Sequence, residues 1–129
     1  MARITMTARQ FKEAMQLDSR LQEMLVELTA TWPAQQMVVT SVHRTANENE
    51  QAGARSQIHV VGPPYRAVDL RIRNIDGDFQ RIAEEIAEDL NDDWAYDPDR
   101  PDKPVAFARV HGSGPHIHLQ VHPRTTRRG

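Results

Sequence analysis

Apolar residues recur at helical spacing from Phe11 through Met15, Leu21, Met24 and Leu25 to Leu28, and Thr7 with Gln10 forms a capping box in front of them. This pattern predicts one helix from about Ala8 to Thr29, closed by Trp32 before Pro33, because the residue preceding a proline is pushed out of the α region. QMVVTS, at 36 to 41, is short and β-branched and predicts a buried strand, whereas RAVDLRIR, at 66 to 73, alternates. Val68, Leu70 and Ile72 fall on one side of that second strand, and Ala67, Asp69, Arg71 and Arg73 on the other. Asp76 then caps a second amphipathic helix whose stripe is Phe79, Ile82, Ala83, Ile86 and Leu90. After the turn-rich NDDWAYDPDRPDKP, the runs VAFARV (105 to 110) and HIHLQV (116 to 121) flank HGSGP and predict an antiparallel hairpin. Between the first two strands the chain is polar and irregular, with a helical turn or two expected in ANENEQAGA. The order αββαββ predicts a small α+β domain, an antiparallel sheet with helices packed on one side.

Length and composition agree with one domain over residues 1–129 that buries about two thirds of its unfolded surface. The chain has no cysteine, so a transition-metal site would have to be built from histidine and carboxylate. Neither the amino terminus nor any later run has the apolar length of a leader or a membrane span, and a soluble protein, cytoplasmic at synthesis, is expected. Eleven acidic residues against two arginines lie between Asp76 and Asp102, while five basic residues and no acid follow from Lys103. The acidic part reads as a solvated helix face and loop, and the basic end, about 123–129, as a frayed tail. With no basic helix and no interleaved aromatic platform, neither nucleic acid nor a membrane is an expected partner.

The residues of chemical interest lie on the polar sides of the strands. His116, His118 and Gln120 share one face of the last strand, and Ile117, Leu119 and Val121 share the other. The strand at 66 to 73 offers Asp69 from its own polar side, and His59, ten residues earlier, can fold back over the same face across VVGPPYRAV. Histidine and carboxylate in a set of three, with a fourth position for water, are the ligands of catalytic zinc. His43 and His122 are read as surface residues, and His111 as a residue at the edge of the glycine-rich turn.

VVTSVHRTANENEQAGARSQIHVVGPPYRAVDLRI resembles the first half of the zinc peptidases related to D-alanyl-D-alanine carboxypeptidases and dipeptidases, a group that includes lysostaphin-type peptidases and the hedgehog signalling domain. Ser41, His43 with Arg44, Ser56, His59, Gly62 and the run Ala67, Val68, Asp69, Leu70 follow the family order, and PHIHLQV is similar to its later ligand-bearing strand. Together these segments span about residues 36 to 121. The resemblance implies a hedgehog/D-Ala-D-Ala peptidase-like fold and a Zn2+ held by His59, Asp69 and His118, with His116 as the alternative third ligand. It also implies that Arg44 contacts the substrate or a developing oxyanion.

The chain departs from the family in places. Nine residues separate His59 from Asp69 where six are usual, and Ser56 stands three rather than two places before His59. The acidic general base that many members carry three residues before the last zinc histidine is replaced by Pro115, or by Ser113 if His116 is the ligand. Imidazole is suited to proton transfer at neutral pH, which makes His116 the candidate for that role and His111 the second. The expected activity is zinc-dependent hydrolysis of an amide bond in peptidoglycan stem peptides or cross-links. The expected setting is a phage or prophage lysin, or a wall-degrading virion component with a virion or lysis-system partner. The alternative is a non-catalytic structural or binding module that keeps the same fold.

Overall fold

The computed structural model describes residues 3–32, 36–42, 58, 62–73, 79–111 and 114–128. In chain order the elements are β1 (Arg3–Thr5), α1 (Ala8–Ala14), α2 (Ser19–Thr31), β2 (Gln36–Ser41), β3 (Ala67–Arg73), α3 (Phe79–Asp93), β4 (Trp94–Ala95), β5 (Ala106–His111), β6 (Gly114–Gln120) and β7 (Thr126–Arg127). Five strands form one sheet in the order β1-β2-β3-β6-β5, and β4 pairs with β7 in a separate two-stranded ribbon. The domain is therefore α+β, with one correction: the sheet is mixed. β1 lies parallel to β2, with Ile4 opposite Met37, whereas the other pairs of the large sheet are antiparallel. A three-residue edge strand is too short to show an alternating pattern, and RIT carried no such signal.

β3 is the central strand, and its register sets the two faces of the sheet. Val68 stands opposite Leu119 and Leu70 opposite Ile117 on β6, while Met37 and Val39 of β2 stand opposite Ile72 and Leu70. These residues are all buried and belong to one core with Leu21, Met24 and Leu28 of α2 and Ala83, Ile86, Ala87 and Leu90 of α3. The helical layer thus covers the apolar face. The other face carries Asp69, Arg71, His116, His118 and Gln120 in neighbouring rows. The final hairpin forms as the sequence predicts, with its register closing at His111 opposite Gly114.

The predicted first helix is two helices. The capping box of Thr7 and Gln10 starts α1, which stops at Ala14, and Asp18 begins α2 as a new N-cap by accepting from Arg20 N at 2.9 Å. Leu17, between them, is buried and bridges to Tyr65, whose N–H donates to Gln16 O at 3.0 Å while its carbonyl accepts from Asp18 N at 2.8 Å. A backbone recruited by a distant loop and a side chain that caps so well both compete with helix continuation. As a result Phe11 and Met15, expected on the buried stripe, are exposed at 58% and 61%, and only Leu21, Met24 and Leu28 of that stripe are fully buried.

The C-terminal end also differs from expectation. Instead of fraying, Thr126 and Arg127 pair with Ala95 and Trp94, and the Arg127 guanidinium lies 4.3 Å over the Trp94 ring while pairing with Glu27. Arg128 Nε donates to Asn91 O at 2.8 Å and to Trp94 O at 3.2 Å. Thr125, buried, donates to Tyr96 O at 2.7 Å and accepts from His122 N at 2.8 Å. The basic residues find carboxylates, carbonyls at a helix end and an indole face, and these contacts order a segment whose composition reads as tail. α3 correspondingly continues to Asp93, three residues beyond the predicted stripe. The predicted cap Asp76 and the turns expected in ANENEQAGA lie outside the described residues.

Arg20 makes side-chain hydrogen bonds to both Asp18 oxygens, at 2.9 and 2.7 Å, and holds the carboxyl below its ordinary 3.8. A depressed carboxyl pKa contributes stability above the ordinary value and loses it as the pH falls through the lowered one. Asp18→Asn, which keeps the cap, should therefore lower the urea midpoint at neutral pH and flatten its fall below about pH 4. Asp18→Ala should cost about 1 kcal/mol more, from the lost cap. Deleting residues 126–129 should destabilise the protein by on the order of 2 kcal/mol, from lost hydrogen bonds, and shift Trp94 emission to the red as the ring is uncovered.

Candidate functional site

On the polar face, alternation places Asp69 and His118 opposite each other in the antiparallel register of β3 and β6. Asp69 Oδ1 lies 2.7 Å from His118 Nδ1, and the imidazole is only 4% exposed. The other ring nitrogen, Nε2, lies 3.1 Å from Gln120 Oε1, and Gln120 Nε2 donates to Pro104 O at 2.9 Å. Because that donation spends the amide nitrogen on a carbonyl, the amide oxygen is the group that faces His118. An oxygen of this kind only accepts, so Nε2 carries the proton. The 2.7 Å contact between Asp69 Oδ1 and His118 Nδ1 is of hydrogen-bond length, so the nearly buried ring is held from both of its nitrogens.

The rows of the sheet extend the site. Ser41, Asp69, His118 and Phe107 form one row from β2 to β5, and the Phe107 and His118 ring centroids are 4.7 Å apart at an interplanar angle of 32°. Ser41 reaches its place through a bulge: Val39 pairs with Leu70 and Ser41 with Asp69, leaving Thr40 as the extra residue. Thr40 Oγ1 donates to Asp69 O at 3.3 Å, on the backbone of the residue that faces His118. The next row is Arg71, His116 and Arg109, so His116 sits about 7 Å along the strand from His118, between two arginine positions. His111 ends β5 at the hairpin turn, opposite Gly114.

Of the residues named from the sequence, the structure brings Asp69, His116 and His118 together on one face. His59, Arg44, His43 and Ser56 lie outside the described residues. Among the described residues no group of three potential metal ligands is present, which leaves Asp69 and His118 as a pair. The pair offers two of the donor types that zinc takes, an imidazole nitrogen and a carboxylate oxygen, in a contact of hydrogen-bond length. His122 is not a bare surface residue. Its Nδ1 accepts from Arg124 N at 3.1 Å, and its ring lies 5.4 Å from that of Tyr96.

Gln120 and Pro104 are the functional candidates that sequence reasoning did not single out for a role. The i, i+2 spacing of His118 and Gln120 was the available signal, but the third partner is a backbone carbonyl 16 residues away. A second group outside the site is Asp97, which accepts from Asp99 N at 3.0 Å and pairs with Arg100 at 3.2 Å and Arg124 at 3.2 Å. The backbone donor first, then the arginines, hold its carboxyl below the ordinary value. These contacts fix the loop that leads to Pro104. A cleft of about 170 Å³ between α2 and α3, lined by Glu27, Asp89, Asp92 and Asp93 among others, shares no residue with the histidine pair.

Compared with protein-family models, curated proteins and solved structures, the chain gives no match. Among the described residues no helix is long and apolar enough to cross a membrane.

Removing one partner of the central pair should be costly. With chelator present, Asp69→Ala should lower the unfolding free energy by about 1–3 kcal/mol, because it removes the carboxylate from a nearly buried imidazole. The double substitution with His118→Ala should cost less than the sum of the two singles, as measured in a urea double-mutant cycle.

Proposed function

We propose that the protein is a zinc-dependent peptidase acting on an amide bond of peptidoglycan, in the stem peptide or its cross-links, with a hedgehog/D-Ala-D-Ala peptidase-like fold. The observation that carries this reading is the Asp69–His118 contact of 2.7 Å on the polar face of the sheet, with His116 one step along the same strand. The sequence resemblance supplies the family and, in His59, the third ligand.

Asp69 and His118 would hold the metal with His59, and Gln120 would keep the His118 ring in place. When bound, zinc lowers the pKa of a coordinated water to about 7 and polarises a carbonyl oxygen. The remaining work belongs to the chain. His116, within the face that bears the ligands, would accept a proton from the attacking water and return it to the leaving amine, in place of the absent carboxylate base. Arg44 would stabilise negative charge on the substrate or the developing oxyanion. Such a protein would serve as a lysin or as a wall-degrading virion component, with a virion or lysis-system partner.

Elemental analysis of the purified protein should find one zinc per chain, and incubation with isolated cell walls should release peptide fragments. His59→Ala and His118→Ala should abolish both metal and release, while His116→Ala should retain the metal and lower kcat by about a hundredfold to ten-thousandfold. Stoichiometric zinc without fragment release would instead assign a non-catalytic binding module, and absence of zinc from protein prepared with excess metal would overturn the metal reading.

A further inference from the structure

Charge is segregated between the two layers of the fold. The whole sequence has 18 acidic residues against 16 lysines and arginines. The strands β1, β2, β3, β5 and β6 nevertheless contain four arginines, Arg3, Arg71, Arg73 and Arg109, and a single acid, Asp69. Their register puts all five on the polar face. Arg71 stands opposite Val38 on one side and His116 on the other, and His116 in turn stands opposite Arg109. One step along β3, Arg73 stands opposite Gln36, which stands opposite Arg3. The acid of this face is already engaged, with Asp69 Oδ1 2.7 Å from His118 Nδ1. In the helical layer the balance is reversed, and α3 carries six acids and one arginine.

Two of the four arginines have an ordinary explanation. β1 and β5 are the edges of the sheet, and charged residues on edge strands hinder pairing with another chain. β3 is the central strand and needs no such guard, yet Arg71 and Arg73 repeat at i, i+2 on its polar side. Like charges at neighbouring positions of one face repel, at a cost to the sheet. An anion held against the face removes that cost. Arg71 and His116 are half-buried, so an anion that meets them is partly withdrawn from water, where charge–charge attraction is stronger than at an open surface.

We propose that the polar face of the sheet binds an extended acidic peptide, whose carboxylates are taken by the arginines of β3. Positions i and i+2 of a strand are about 7 Å apart, and side chains two residues apart in an extended peptide are separated by about the same distance. A peptide running along β3 can therefore present alternate carboxylates to Arg71 and Arg73, with its continuation over Asp69 and His118. The planar fork of a guanidinium matches a carboxylate through two parallel hydrogen bonds. A single-stranded nucleic acid would call for aromatic platforms under its bases, and the phenyl ring of this face, Phe107, is packed 4.7 Å from the His118 ring. The inference deepens the peptidase reading by giving the charge of the substrate, and rests on that reading only for cleavage of the bound peptide.

Titration of 15N-labelled protein, in chelator, with two synthetic hexapeptides tests it: one has glutamate at alternate positions, the other glutamine in their place. The glutamate peptide should bind, shift the backbone amides of β3 and β6, and lose affinity as salt is raised. The glutamine peptide should bind at least about tenfold more weakly, and Arg71→Gln and Arg73→Gln should each weaken the glutamate peptide about tenfold, as when one charge-assisted hydrogen bond is lost. Arg9→Gln, on α1 with a side chain 62% exposed, removes the same charge elsewhere and should change neither peptide's binding. Equal binding of the two peptides, or equal losses in Arg9→Gln and Arg71→Gln, would overturn the proposal. Tighter binding of a single-stranded oligonucleotide of the same charge would overturn it in favour of nucleic acid. Near-UV circular dichroism checks the fold of each variant, and if Arg71→Gln does not fold, Arg73→Gln and the peptide pair decide. Selective binding of the glutamate peptide by a protein that takes up no zinc and releases no wall fragments would support this inference and overturn the peptidase reading. Wall fragments released by a protein that binds both peptides equally would do the reverse.

Discussion

The antiparallel register between β3 and β6 carries more of this structure than any other single pairing. It sets Val68 against Leu119 and Leu70 against Ile117 on one face, and in the same stroke sets Asp69 against His118 on the other. Strand side chains alternate with a period of two, so a slip of one residue would turn the carboxylate and the imidazole into the core and the leucines into water. The core therefore specifies the site. Apolar burial on the helical side enforces the cross-strand contact on the polar side, where the sheet offers little else to discriminate one register from another.

That contact would be expensive if it stood alone, because it takes an imidazole almost wholly out of water beside a carboxylate. The sheet compensates on the far side of the ring, where the Gln120 amide oxygen is held against Nε2. A buried polar network is stabilising only when its members are satisfied, and here satisfaction runs outward from Asp69 through His118 and Gln120 to a backbone carbonyl. The bulge at Thr40 adds a further departure from regular pairing on the other flank of Asp69, in keeping with the tendency of bulges to lie beside functional groups.

Much of this was legible in the sequence, for physical reasons that also mark where legibility ended. The alternation in RAVDLRIR and HIHLQV identified the strands and separated Asp69 and His118 from the core, since a period of two is a local property. The stripe of α3 was legible for the same reason. The break between α1 and α2 was not, because it depends on Tyr65, 48 residues after Leu17, drawing the intervening backbone into a bridge. β1 was too short for any period to register. The docking of Arg127 and Arg128 was hidden because charge composition counts basic residues without locating the indole and carbonyls that receive them. Gln120 stood in plain view between two predicted ligand positions and the chain end, yet its role depends on Pro104, whose carbonyl has no sequence signature at all.

These hidden attachments converge on the site. Arg128 donates to the carbonyl of Asn91, and the Asn91 side chain gathers Val105 N and Ala106 N at the start of β5. On the other side of the same loop, Thr125 holds the Tyr96 carbonyl while Arg124 pairs with Asp97 and Asp99. Residues 97–104 are in this way fastened at both ends, and Pro104 O is the point at which that fastening meets Gln120. The C-terminal segment that composition reads as solvated tail is part of the scaffold behind the His118 acceptor. A positioned imidazole requires rigidity beyond its own strand, and in this fold the rigidity is delivered by short polar contacts from a helix end and a two-residue strand, with the hydrophobic core lying on the opposite side of the sheet.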